Sequence, residues 1–95
     1  GDIPVVITGD FNQYSDGEGC QALENEGYLN VNRTIDNGDN LVTYNGWTNE
    51  TVGRPIDYIF VNDGFSVNNY EVVTGTGAKT NVSDHYMIKA TLKLK

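Results

Sequence analysis

The chain has 95 residues and a mass of 10.5 kDa, which limits it to one small domain. Thirteen Asp and Glu residues against six Lys and Arg give a formal net charge of −7, so a nucleic-acid-binding module held by a basic surface is disfavoured. No apolar run approaches the roughly 20 residues that cross a bilayer, and we expect no membrane association. A single cysteine excludes an internal disulfide, and with a single histidine it also excludes an ordinary structural zinc site.

The N-terminal part of the chain predicts a strand, a polar loop and a helix. Residues 3–8 form a continuous apolar, β-branched run, typical of a strand that is covered on both faces. Ser15 and Glu18 have the spacing of a capping box, which predicts a helix start between them. Cys20 lies on the narrow apolar stripe of that helix, and Gly27 is placed to end it in the left-handed conformation.

The remainder of the sequence predicts β-structure. Residues 41–44 form a plausible short strand, residues 56–61 are a nearly unbroken apolar run, and residues 65–73 form a weaker strand with polar interruptions. Residues 86–94 alternate apolar and polar side chains, which predicts a strand with one buried face. We therefore expect an α+β fold, a mostly antiparallel sheet with one main helix, over residues 1–95 as a single unit.

Polar side chains directly follow the first apolar run. Asp10 and Asn12 are separated by one residue, so both can project from the same side of an extended segment, with Phe11 on the other side. An ordinary strand-end turn, in which Asp and Asn side chains accept hydrogen bonds from backbone groups, is the commoner explanation of such a pair.

Two further polar positions lie at the edges of apolar runs. Asp57 stands inside one, where an ionised carboxylate is costly unless it is paired or hydrogen-bonded. It either caps the strand start after Pro55 or forms an ion pair with Arg54, or else it supplies charge to a functional partner. His85, the only histidine, follows Asp84 at the start of the last strand. A lone histidine is more often structural, but a histidine–carboxylate pair suits general-base chemistry.

Three motifs in this order resemble the endonuclease/exonuclease/phosphatase superfamily, the DNase I-like metal-dependent phosphoesterases. They are Gly-Asp-Phe-Asn at 9–12, Ile-Asp-Tyr-Ile-Phe-Val at 56–61 and Ser-Asp-His at 83–85. Thr-Tyr-Asn-Gly-Trp at 43–47 is similar to a loop that many bacterial members carry. The resemblance spans nearly the whole chain but only the C-terminal portion of the family's catalytic domain. It implies half of the DNase I-like four-layer α/β sandwich.

The resemblance implies hydrolysis of phosphate mono- or diesters by in-line attack of an activated water. Asp10 would orient or activate that water, and Asn12 would hold Asp10 and a phosphate oxygen. His85 would contact the scissile phosphate or act as the base, with Asp57 as its charge partner. Asp84 would lie by a Mg²⁺ or Mn²⁺ ion, because such hard cations prefer oxygen ligands.

The substrate expected for this site is a small phosphorylated compound rather than nucleic acid, since the chain is acidic and its basic residues are scattered. Asn45 and Trp47 are the candidate substrate-binding residues. Trp47 lies in a polar loop flanked by glycine, where it is either a core residue or an aromatic platform at the rim of the site.

One departure from the family pattern bears on activity. The family's N-terminal half supplies a Glu that is the principal metal ligand, and this sequence has no counterpart of it. We therefore expect weak metal binding and little turnover from the chain alone. The alternative is a non-catalytic fragment or half-domain that keeps the motifs, and that covers its sheet by pairing with the missing N-terminal half or with a second copy.

Overall fold

The computed structural model describes residues 3–35, 38–44, 53–73 and 85–95. Among them no helix is long and apolar enough to cross a membrane. The helix and strands are, in chain order, β1 (Val6–Asp10), α1 (Glu18–Asn25), β2 (Leu29–Asn30), β3 (Asp57–Val61), β4 (Phe65–Val73) and β5 (Met87–Leu94). Two short 3₁₀ turns, Val31–Thr34 and Gly38–Asn40, lie between β2 and β3.

The strands form two antiparallel sheets. The first has the order β1-β3-β2, and the second pairs β4 with β5. Strand β3 lies between two apolar clusters because its side chains alternate in direction. Tyr58 and Phe60 pack with Cys20 of α1 on the outer face, while Ile59 and Val61 pack against the β4–β5 pair on the inner face. The helix, the three-stranded sheet and the two-stranded sheet are thus layered as the predicted α+β fold requires.

Strand β1 differs from the prediction that both of its faces are covered. It begins at Val6, whose side chain is 44 % exposed, and Thr8 and Asp10 on the same face are also exposed. These three side chains share the inner face with Val61, because Val6 pairs with Val61 in the sheet register. The β4–β5 pair packs over β3, and β1 lies at the edge of the described three-stranded sheet.

The predicted capping box at the start of α1 is wrong. The helix begins at Glu18 with Gly17 as the N-cap residue, and no side chain of the cap makes a hydrogen bond. Ser15 instead donates its hydroxyl to Oδ2 of Asp39, at 3.0 Å. The hydroxyl of Ser15 therefore bonds the carboxylate of Asp39, which is distant in the sequence, instead of the backbone at the helix start.

The first-turn amides of α1 are satisfied by a side chain that precedes the helix. Oε1 of Gln13 accepts hydrogen bonds from the N–H groups of Gly19, at 2.7 Å, and Cys20, at 3.1 Å. This satisfies donors that the helix itself leaves free. The predicted helix end is confirmed: Gly27 follows α1 with φ of 97°, a conformation that favours glycine.

The β-rich half matches its predictions unevenly. Strand β4 covers residues 65–73 as predicted, and β5 places Ile88, Ala90 and Leu92 on its packed face, although Leu94 is 62 % exposed. Residues 41–44 form no strand. They contribute a single bridge, from Tyr44 to His85, because the polar groups of this segment bond to different elements instead of to one neighbouring strand.

Candidate functional site

Two carboxylates face each other where β1 and β3 pair. Asp10 lies opposite Asp57 in the antiparallel register, and the N–H of Phe11 donates to the carbonyl of Ile56 at 2.8 Å. Hydrogen-bonded and non-hydrogen-bonded pairs alternate along such a ladder, so Asp10 and Asp57 form a non-hydrogen-bonded pair with close side chains on one face. Like charges in this arrangement repel, and a polar partner between the two carboxylates offsets that repulsion.

His85 is that partner. Its Nδ1 lies 2.7 Å from Oδ2 of Asp57, and its Nε2 lies 3.6 Å from Oδ2 of Asp10. The exposed fraction of the side chain rises from Asp57 (15 %) through His85 (25 %) to Asp10 (39 %). The Tyr44 ring and the imidazole pack in a T-shaped arrangement, with ring centroids 5.2 Å apart and planes at 76°. Asp57 is thus the most buried of the three side chains and Asp10 the most exposed.

The recorded geometry pairs Asp57 with His85 and not with Arg54. Arg54 directs its guanidinium to Oδ2 of Asp39, at 3.2 Å, and lies 4.5 Å above the ring of Tyr14. The short contact of Asp57 is with His85 instead. Asp57 is therefore half of a histidine–carboxylate dyad.

Asn12 adjoins the site in the turn that follows β1. Its backbone has a positive φ of 53°, and its N–H donates to Oδ1 of Asp10 at 2.9 Å. The strand-end turn and the site interpretation of this pair are therefore compatible, because one oxygen of Asp10 caps the turn while the other faces His85. The side chain of Asn12 is exposed.

Two wholly buried side chains hold the backbone of Asp57. Nδ2 of Asn32 donates to the carbonyl of Asp57 at 2.8 Å, and Oδ1 of the same amide accepts from the N–H of Ile59 at 3.3 Å. Oγ1 of Thr43 accepts from the N–H groups of Ile56, at 2.9 Å, and Asp57, at 3.1 Å. Sequence reasoning gave neither residue a role. Thr43 begins the Thr-Tyr-Asn-Gly-Trp motif, but no local sequence pattern indicates a role for Asn32.

A cavity of about 320 Å³ opens beside the dyad. It lies between the inner face of the β1–β3 pair and the first residues of the last strand, and it is lined by Thr8, Gly9, Asp10, Asp57, Ile59, Tyr86 and Ile88. A water molecule occupies about 30 Å³ in the liquid, so the cavity has room for a phosphate group and part of its substituent.

Asp10, Asp57 and His85 form a group that could hold a metal ion. Each offers one ligand atom, and the three atoms lie within 4.8 Å of one another. The predicted metal ligand Asp84 and the predicted substrate-binding residues Asn45 and Trp47 lie outside the described residues. Among the predicted site residues that are described, the structure brings Asp10, Asp57 and His85 into contact and leaves Asn12 beside them.

The sequence profile of the Endonuclease/Exonuclease/phosphatase family matches residues 1–85. The chain belongs to this family. All three motifs that carried the resemblance begin within the matched range, and the dyad joins the second to the third. The fold is correspondingly the α+β arrangement of DNase I-like proteins, and the family supports a phosphoesterase-type chemistry.

Solved structures of this fold superpose on nearly the whole chain. A mannosyl-6-phosphatase of Bacteroides thetaiotaomicron VPI-5482 is 27 % identical with a TM-score of 0.79, over 98 % of this chain and 39 % of that one. An endonuclease/exonuclease/phosphatase family protein of Bacteroides thetaiotaomicron is also 27 % identical, with a TM-score of 0.80, over 97 % and 36 %. A conserved protein of Enterococcus faecalis V583 shares the fold at 23 % identity and a TM-score of 0.75, over 97 % and 37 %.

The chain therefore spans less than two fifths of the length of each of these structures. No curated protein sequence matches it.

Proposed function

We propose that the chain supplies the histidine–carboxylate half of a divalent-metal-dependent phosphoesterase, which hydrolyses phosphate mono- or diesters by in-line attack of water. One observation carries this proposal: His85 contacts Asp57 through Nδ1 and Asp10 through Nε2, and both carboxylates line an open cavity. An imidazole with one nitrogen anchored by a carboxylate and the other directed at a second carboxylate has the geometry of a general acid–base catalyst.

The proton chemistry follows from the two ring nitrogens. Asp57 accepts the hydrogen bond from Nδ1–H of His85, which leaves Nε2 of the neutral ring as an acceptor. Nε2 can then take a proton from a water molecule that attacks phosphorus, or as imidazolium it can donate to a phosphate oxygen. The charge of Asp57 stabilises the imidazolium in either role. A positioned group of this kind contributes typically about 10²–10⁴-fold to a rate.

Asp10 and Asn12 complete the water and phosphate contacts in this proposal. The N–H of Asn12 fixes Oδ1 of Asp10, so that Oδ2 remains on the side of His85, where it can orient the attacking water. The exposed amide of Asn12 would bind a phosphate oxygen. Asn45 and Trp47 remain the proposed substrate contacts, because their motif precedes the Asp57 strand in the sequence.

We further propose Mg²⁺ or Mn²⁺ as the cofactor, with Asp84 and Asp10 among the residues that would hold it. The donor chemistry fits, since the facing carboxylates of Asp10 and Asp57 concentrate negative charge and oxygen ligands on one face. When bound, the ion would neutralise charge that develops on the phosphoryl oxygens.

A small phosphorylated compound is the proposed substrate class. The net charge of −7 disfavours a polyanionic nucleic acid, and the similar mannosyl-6-phosphatase, by its name, acts on a phosphorylated sugar. A sugar phosphate is accordingly the first substrate to test.

The proposed partner is a complementary half of the family's sandwich or a second copy of this chain. Val6 (44 % exposed) and Leu29 (47 % exposed) flank Val61 on the inner face of the first sheet, where another polypeptide can cover them. The same exposed surface favours the second candidate function, a non-catalytic half-domain that assembles through this face.

The test is hydrolysis of mannose 6-phosphate, p-nitrophenyl phosphate and bis-p-nitrophenyl phosphate with Mg²⁺, then with excess EDTA. From the chain alone we expect weak turnover, which EDTA abolishes and which His85→Ala lowers about 10²–10⁴-fold. Lys93→Ala, at an exposed position of β5, is the control and should retain the rate. A rate that survives EDTA or His85→Ala would contradict the mechanism, and inactivity of a well-folded chain with every substrate would favour the non-catalytic half-domain.

A further inference from the structure

The backbone of Asp57 lies at a gap in the first sheet. In the alternation set by Phe11 and Ile56, the N–H and C=O of Asp57 point away from β1, toward the side where β2 pairs with β3. Strand β2 ends at Asn30 and the chain turns into a 3₁₀ turn, so it supplies no backbone partner at the level of Asp57. Buried backbone polar groups in that position must find other partners.

Two side chains fill this gap. The carboxamide of Asn32 takes the place of a strand, since it donates to the C=O of Asp57 and accepts from the N–H of Ile59 as a backbone peptide would. The hydroxyl of Thr43 accepts from the N–H of Asp57. Both residues are 0 % exposed, so water does not compete for these bonds.

Thr43 also contacts the element that carries the histidine. Its carbonyl accepts from the N–H of Tyr86 at 2.6 Å, one residue beyond His85. The next residue, Tyr44, pairs with His85 and packs its ring on the imidazole. A single buried residue thus bonds the backbone on both sides of the 2.7 Å contact between Nδ1 of His85 and Asp57.

We propose that Thr43 is a positioning residue for the His85–Asp57 dyad, with Asn32 supporting it from the other side of Asp57. Its hydroxyl fixes the start of β3 and its carbonyl fixes the entry to β5, so the two motifs meet at hydrogen-bond distance. This role rests on the proposed function for its catalytic consequence. The positioning itself is a property of the folded chain and can be measured without turnover.

The test compares Thr43→Val, which removes the hydroxyl at nearly constant shape, with Thr43→Ser, which keeps it. Thr34→Val is the matched control, because the hydroxyl of Thr34 bonds locally, to the carbonyl of Val31 at 2.7 Å. The first readout is the proton on Nδ1 of His85 in ¹H–¹⁵N spectra of histidine-labelled protein, which is unambiguous because the sequence has one histidine.

We expect a low-field Nδ1 proton in the unmodified chain, in Thr43→Ser and in Thr34→Val, and its upfield shift or loss in Thr43→Val. In a preparation that hydrolyses phosphoesters, Thr43→Val should lower kcat about 10- to 100-fold with little change in KM, since small displacements of catalytic groups cost rates of this size. Thr43→Ser should restore most of kcat.

The positioning role is overturned if Thr43→Val is folded and keeps both the low-field proton and the rate of Thr34→Val. It is also overturned if Thr43→Ser loses the Nδ1 proton of His85 as completely as Thr43→Val does. Should Thr43→Val not fold, Thr43→Ala compared with Thr34→Ala applies the same two criteria with less steric demand. An absence of turnover in every preparation, with the Nδ1 proton responding as expected, would refute the proposed function and leave the positioning intact.

Discussion

On the helix-facing side of β3, the phenol of Tyr58 links two loops that flank the site. Its hydroxyl lies 3.0 Å from the carbonyl of Gln13 and 2.8 Å from that of Pro55, so it can donate to either. Gln13 directly follows Asn12, and Pro55 is two residues before Asp57. Burial raises the pKa of Tyr58, which keeps this hydroxyl protonated and able to donate at physiological pH.

The thiol of Cys20, packed beside Tyr58, predicts a pH dependence of stability. Burial first, and then the charges of Glu24 and Asp39, raise the pKa of the Cys20 thiol to about 11. The folded chain therefore holds this proton more tightly than the unfolded chain does. The stabilisation is fully present below about pH 9 and is lost as the pH rises toward about 11.

The measurement is the free energy of unfolding in urea between pH 7 and pH 11 for the unmodified chain and Cys20→Ala. We expect the stability of the unmodified chain to fall more steeply with pH in the alkaline part of this range. Since Cys20→Ala lacks the titrating group, parallel curves for the two proteins would show that the thiol does not contribute.

At the scale of elements, the two 3₁₀ turns pack against each other and thereby hold Asn32. Gly38, the first residue of the second turn, lies so close to the first turn that a Cβ atom built on it would overlap the carbonyl oxygen of Asn32. Backbone cannot yield as a flexible side chain does. The close approach therefore requires glycine at this position, although its backbone conformation is not the reason.

Gly38→Ala should consequently separate the two turns and destabilise the fold by about 1–3 kcal/mol, the usual cost of forcing extra volume into a packed site. Gly9→Ala is the control, because a Cβ there would meet only Cε1 of Phe11, at 3.9 Å. Urea unfolding of both variants checks the difference. Equal stability of the two would mean that the turns separate at no cost.

Elements with a strong local pattern could be predicted from the sequence, and so could the residues of the dyad. The period-two pattern predicted β5, a weaker apolar pattern with polar interruptions predicted β4, and the motifs at Asp10, Asp57 and His85 predicted the candidate site because each motif is contiguous. Residues 41–44 have β propensity, yet the groups of Thr43 bond to β3 and to the entry of β5 rather than to one ladder. The role of Asn32 depends on where β2 ends, which is a property of the tertiary fold.

At the scale of the whole molecule, the layers leave the two outer members of an inner row of apolar side chains exposed. Val6, Val61 and Leu29 lie side by side across the first sheet, and only Val61, at the centre, is buried. Within the described sheet β1 is an edge strand, and exposed apolar side chains on such a strand favour association with another chain.

We predict that Val6→Lys reduces self-association of this chain in sedimentation velocity, because a charge on the inner face of the edge strand opposes packing against a second sheet. Met87→Lys, the same kind of change at a 66 % exposed position of β5, is the control and should sediment like the unmodified chain. A chain that is monomeric at every concentration before any substitution would contradict pairing with a second copy and would leave a complementary half as the proposed partner.

The direct opposition of Asp10 and Asp57 has a consequence for how this site can change over evolution or by engineering. Side chains on paired strands alternate between faces, so a slip of one residue would turn one carboxylate toward the apolar layer of Tyr58 and Phe60 and separate it from the other. An insertion of an odd number of residues within β1 or β3 would therefore destroy the site, because it moves one of the two carboxylates to the opposite face of the sheet. Changes in length are therefore confined to the loops that follow Asp10 and precede Asp57, because an insertion in a loop does not change the face on which a strand residue lies.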